Sequence, residues 1–259
     1  MQVLQSSCHE MPMELCSLHP FEESSVQEFV QAITGSARSQ SDVIPGNSIA
    51  AGKRSLARIE RGEGSGVYEM THALGSFLAE RQPSFTHPGL SLSTWEARVD
   101  RGAGMLLRPP SRLLIDAGLD PAIARKLPIR LEMSRGMMGG AYVPARLVGQ
   151  FDQTLELRLE RTLRRLIDAE WDGVAVLGLM IEMVAYCRSN GYAIYEAMDV
   201  VAPDGVGSNT FAQVITADKK RLDKSLRVRL EAAAKPPKKP GLLARLTRRG
   251  NTEEPGTGQ

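Results

Sequence analysis

The chain has 259 residues, is 42% hydrophobic and carries a formal charge of +2, which excludes an intrinsically disordered polymer and leaves ample apolar surface for a core. Three cysteines, Cys8, Cys16 and Cys187, are too few and too odd in number for a disulfide scaffold and favour a reducing, cytoplasmic setting. The charge is uneven: Asp218 to Arg249 holds twelve Lys/Arg against three acids, so an acidic body is joined to a basic C-terminal segment.

No basic-then-apolar leader opens the sequence, so no secretory signal is expected. The most apolar window, Val174 to Cys187, contains Glu182 and falls short of the roughly 20 residues that span a bilayer.

Residues 1–100 read as a loosely packed region of short helices and linkers. Ser25 and Glu28 have the spacing of a reciprocal N-terminal cap, and Val26, Phe29, Val30 and Ile33 follow on one face before Gly35. Residues 35–47 are rich in Gly and Ser and predict a linker. Ser48 to Arg61 is a helix closed by Gly62, and Val67, Met70, Leu74, Phe77 and Leu78 mark an amphipathic helix stopping before Pro83. Ser93 and Glu96 start a short helix through Val99.

Residues 101–201 read as the core domain. Ser111 to Ala117 is a short helix ended by Gly118, and Asp120-Pro121 opens another with Asp as cap and Pro at the first helical position. Ile129 to Met133 alternates as a short strand would, and residues 133–142 predict a glycine-rich loop. Pro144 to Trp171 then predicts one long helix with a stripe of Val148, Phe151, Leu155, Leu159, Leu163 and Leu166. Asp172-Gly173 turns the chain into a second helix over 174–190. At about 1.5 Å per residue the first helix outruns its partner by some 18 Å. The overhang around Val148, Phe151 and Leu155 requires a cover, either the small helices of 111–127 or a second copy of the chain. Tyr192 to Val201 fits a helix or a strand, and Pro203-Asp204-Gly205 a turn. Residues 202–259 read as a basic, largely disordered tail, with Leu222, Leu226 and Leu230 suggesting a helix with little to pack on. The fold class is mainly α: a hairpin of 144–171 and 174–190, short flanking helices and at most a minor strand element.

The loop Ser134 to Ala141 is a candidate anion site. Arg135, Gly136, Gly139 and Gly140 would present charge and open backbone at a helix N-terminus, although the loop has neither a Walker ending nor a dinucleotide fingerprint. The plain alternative is a tight connection whose glycines supply positive φ. Cys8, His9, Cys16 and His19 are metal-ligand types, and Cys16 and His19 have a plausible ligand spacing, but Cys8 to Cys16 is wider than a zinc knuckle and no metal is expected. Glu182 on its apolar helix reads as a solvated carboxylate, and Leu113 to Leu127 as a packed turn that loosely resembles a helix-turn-helix. Lys219, Lys220, Arg221, Lys224, Arg227 and Arg229 are candidate phosphate contacts. Gly241 to Arg249 pairs three leucines with three arginines, as a segment touching an anionic membrane would.

With no nucleophile-and-base constellation in view and no cofactor implied, the leading expectation is a non-enzymatic interaction or regulatory protein. It would use the Val148, Phe151 and Leu155 surface on a protein partner or on itself. The alternatives are a nucleic-acid-associated protein acting through the basic tail, and a small enzyme holding an anionic ligand at 134–141.

Overall fold

In the computed structural model, a five-stranded sheet divides the chain into two helical layers. The structure describes residues 16–35, 48–87, 91–132, 136–201 and 213–235. The strands are β1 (Cys16–Phe21), β2 (Ser84–Thr86), β3 (Gly139–Val143), β4 (Ala193–Met198) and β5 (Val214–Thr216), in the order β3-β4-β1-β2-β5. All neighbours are antiparallel except β2 and β5. The sheet corrects the expectation of at most a minor strand element, although helix still predominates.

Every residue of β1, β3 and β4 is buried, because both sheet faces are covered. Alternation along β4 sends Tyr195 and Ala197 to one layer and Ile194 to the other. The first layer holds α1 (Glu23–Thr34), α2 (Ser48–Glu60), α3 (Ser65–Ala79), α5 (Pro110–Asp116) and α6 (Pro121–Ala124). The second holds α4 (Leu92–Thr94), α7 (Ala145–Leu157), α8 (Leu159–Asp168), α9 (Gly173–Asn190) and α10 (Lys224–Ala234). A π-helical turn, Trp95–Val99, extends α4 and buries Trp95 completely.

The amphipathic helices agree with their patterns. Val26, Phe29, Val30 and Ile33 are the buried face of α1, but Glu22 rather than Ser25 precedes the helix and no side chain caps it. Ser91, not Ser93, caps α4 by accepting from the Thr94 N–H. Asp120 caps α6 as expected, accepting from Ala122 N–H at 2.8 Å. Residues 129–130 form bends and 131–132 are irregular, so no strand forms there. The turn at Pro203 and the segment Gly241–Arg249 lie outside the described residues.

The long helix over 144–171 is two helices. At Arg158 the backbone leaves helical geometry, with φ −117° and ψ 15°, and the guanidinium pairs with the buried Asp100 carboxylate. The bend lays α7 and α8 in succession against α9, so the overhang computed for a straight rod does not exist. Asp172 caps α9 by accepting from Ala175 N–H at 3.2 Å, and Gly191 closes it with φ +70°. Val148, Phe151 and Leu155, expected to await a partner, are 1–2% exposed in the chain's own core.

The other two boundaries also move. Residues 16–86 contribute two of the three middle strands, so the N-terminal region belongs to the same core as residues 101–201. The basic segment is structured over 213–235: Leu222 and Leu230 are buried, and α10 packs on α8 and α9. We predict that Phe151→Ala lowers unfolding stability by about 3–5 kcal/mol in urea titrations, as for a buried aromatic, rather than leaving it unchanged as at a docking surface.

Candidate ligand-binding cleft

Helices α2 and α3 form an antiparallel hairpin through Gly62, whose φ of +80° makes the turn. They approach closely because Gly66 faces Ser55 O and the Ile59 side chain, where a Cβ would lie at 3.0–3.1 Å. A cleft of about 1110 Å³ opens along this hairpin and is bordered by Lys126, Gly136 and Met137. Its floor is mixed: Ala51, Ile59 and Val67 are apolar, whereas Ser48, Ser55, Tyr68 and His72 are polar.

Hydrogen bonds to the sheet fix α3 beneath this floor. Thr71 Oγ1 accepts from Gly139 N–H at 2.9 Å and donates to Tyr68 O at 2.8 Å, while Tyr195 Oη donates to Thr71 O at 3.1 Å. Tyr68 and His72 therefore stand on a helix turn locked to β3 and β4. Burial and the neighbouring Glu196 raise the Tyr195 phenol well above its ordinary range, so it remains a donor.

The charges of the cleft divide into spent and unspent. Glu63 accepts from Arg58 and Arg61, each at 2.8 Å, and Glu69 accepts from Arg58 at 2.5 Å. The hydrogen bond from Arg61, then that from Arg58, holds the Glu63 carboxyl below its usual range. Glu80 accepts from Ser48 Oγ, and Asp199 Oδ2 accepts from Met137 N–H at 3.2 Å. Arg54 and Lys126 are exposed and, among the described residues, stand in no ion pair.

One rim of the cleft is strained. Met137 and Asp199 adopt positive φ, +36° and +56°, next to Gly136 at +56°. The left-handed region is sterically disfavoured for a side chain such as Met137's and less so for Asp. Such residues persist where their surroundings over-determine them, which is often at binding sites. Here the Met137–Asp199 hydrogen bond is backed by Met198 N–H donating to Met138 O at 2.7 Å. The resulting turn aims Asp199 O at His72 Nε2, 3.3 Å away. Burial holds the His72 pKa below its ordinary value, opposed by the Asp199 carbonyl and carboxylate.

The residues expected to form the anion loop are placed otherwise. Arg135 lies outside the described residues. Gly139 and Gly140 do not precede a helix; they lie in β3, pressed against Tyr195, Thr71 and the Glu196 carboxylate. Their small size serves close strand packing, and the Gly139 N–H is already taken by Thr71. Glu196 accepts from Ala141 N–H at 2.7 Å and from Ser93 Oγ at 3.0 Å, filling the space an anion would need. Gly136 borders the cleft.

Cys16 and His19 are three apart on β1 and so point to opposite faces, which prevents a shared metal. Cys8 and His9 lie outside the described residues. His19 is fully buried between Ser17 Oγ at 2.8 Å and Ser84 Oγ at 2.9 Å. Of the basic candidates, Lys219 pairs with Asp172, Arg221 with Glu182 and Arg229 with Glu156. These ties fasten residues 219–229 to the body and leave Lys220, Lys224 and Arg227 in no ion pair among the described residues.

Compared with protein-family models, curated proteins and solved structures, the chain matches none. Among the described residues, no helix is long and apolar enough to cross a membrane.

Burial lowers the His19 pKa from 6.5 to about 3, with the nearby His72 as a lesser cause. Between those values the unfolded chain binds a proton that the folded chain refuses, so stability falls as pH drops below about 6.5. Urea midpoints of the wild type should therefore drop more steeply between about pH 7 and pH 5 than those of His19→Gln, which lacks the group. Parallel slopes would mean that His19 is protonated when folded.

Proposed function

We propose that the protein is a ligand-binding protein that takes a small organic anion into the cleft along α2 and α3. The observation carrying this reading is the division of charge: the carboxylates in and beside the cleft are held by protein donors, whereas Arg54 and Lys126 are uncommitted. Apolar Ala51, Ile59 and Val67 suit the body of such a ligand, and a cleft of this volume suits a molecule of drug-like size. The anionic-ligand role expected at residues 134–141 thus moves to the cleft that Gly136 borders. A regulatory role fits the same reading, with occupancy of the cleft as the signal.

The probe is 6-methoxy-2-naphthoate, an apolar ring system with one carboxylate, titrated by its fluorescence. Saturable binding is expected, weakened about tenfold, or about 1.4 kcal/mol, by Arg54→Ala combined with Lys126→Ala. Equal binding of the neutral naphthamide, or no saturation at all, rules the reading out.

A second reading, phosphate binding by the basic segment, is favoured by Lys220, Lys224 and Arg227, which stand in no ion pair among the described residues. Because the other three cations are engaged by the body, affinity for duplex DNA should fall with salt with a log–log slope of about −3 rather than −5 or steeper. Filter binding across a salt series reads this slope, and no retention at low salt removes the reading.

A further inference from the structure

We propose that His72 presents Nδ1 to the cleft as a bare hydrogen-bond acceptor, so that the preferred ligand is an organic anion that also carries a hydroxyl or N–H donor. This rests on the cleft being a binding site and specifies what it selects.

The argument is one of tautomers. His72 lines the cleft, and its Nε2 lies 3.3 Å from the Asp199 carbonyl oxygen. A carbonyl can only accept, so Nε2 must carry the hydrogen. In the neutral ring the proton is then absent from Nδ1, which keeps a lone pair. Among the described residues Nδ1 has no partner, and it is not a buried, stranded atom.

The surroundings hold this tautomer in place. Asp199 is tied to the same rim by the hydrogen bond from Met137 N–H to its carboxylate. Its neighbour Met198 is held by Met138 O. From below, Thr71 anchors the same helix turn to β3 and β4. His19 has both ring nitrogens occupied by Ser17 and Ser84 and offers nothing to the cleft. Two left-handed non-glycine residues are thus spent on orienting one side chain.

A ligand donor meeting Nδ1 gains a hydrogen bond, whereas an ether oxygen at the same point meets a lone pair and is repelled. Discrimination by a fixed acceptor of this kind exceeds what shape complementarity of an apolar wall provides.

The test has two readouts. The first compares 2-naphthoates bearing a hydroxyl at position 3, 5, 6 or 7 with their methyl ethers. At least one hydroxyl compound is expected to bind about tenfold tighter than its ether, and His72→Phe should abolish that preference, so that the two compounds bind alike. The second is a ¹⁵N–¹H correlation of the imidazoles, which needs no variant and is expected to show His72 with its proton on Nε2. Ethers and hydroxyl compounds binding equally would overturn this inference while leaving the binding role intact. A proton on Nδ1 would overturn it too. Absence of binding by every probe overturns both.

Discussion

The pairing of β1 with β4 is the constraint on which the rest of the structure depends. It joins residues 16–21 to 193–198 in continuous antiparallel register, from Cys16 opposite Met198 to Phe21 opposite Ala193. Everything between these strands is a closed excursion: first the layer of α1 to α3, then the layer of α7 to α9. Closing a loop of this length is entropically expensive, though the cost rises only with the logarithm of length. The compensation is dense. Leu18 and Ile194 enter one core while Phe21, Tyr195 and Ala197 enter the other, so a slip of a single residue would exchange the two faces.

That same pairing explains why the helices were legible and the strands were not. Helices α1 and α7 each bury one face and show their period plainly, as at Val26, Phe29, Val30 and Ile33. Strands β1 and β4 are buried on both faces, which removes the alternation by which a strand is recognised. β1 is further disguised by composition, since Ser17, His19 and Pro20 are poor strand formers. Pro20 is tolerated because β2 pairs only with Ser17 and Leu18, leaving the far end of β1 with one neighbour. The glycines at 139–140 read as a loop for a related reason. Their role, letting β3 lie close over Tyr195 and Glu196, depends on partners some 55 residues away.

The length of the 144–171 helix failed for a different cause. Nothing in Glu156 to Arg161 breaks a helix by propensity, since Glu, Leu and Arg are all good formers. The bend at Arg158 accompanies a tertiary ion pair with Asp100, a residue 58 positions earlier. Local pattern carries no record of such a contact, and the inferred need for a cover, from the helices of 111–127 or a second copy, rested on the straight-helix assumption. The cleft, by contrast, left a trace. Tyr68, His72 and Ser76 recur at four-residue spacing on a helix whose other positions are largely apolar, so they mark one polar stripe on α3. A polar stripe of this kind is ordinarily the solvated side of a helix. Here α2 runs alongside it and turns the stripe into a wall.

Polar groups around the sheet and the cleft separate by their satisfaction. Glu196, Ser17, Thr71 and His19 have their hydrogen-bonding capacity met within the protein, which is what burial of polar atoms requires. Their function is to hold the strands and α3 in one arrangement. His72 differs from them in having one nitrogen fixed and the other open. Fixing a ring through a backbone carbonyl is unusual in demanding a particular backbone geometry, and the geometry present at Asp199 and Met137 is an unfavourable one. Gly136, Gly118 and Gly191 take positive φ without a side chain, whereas Met137, Asp199 and, at the end of α8, Glu170 keep one. The retained strain is intelligible if the orientation of His72 matters to what enters the cleft.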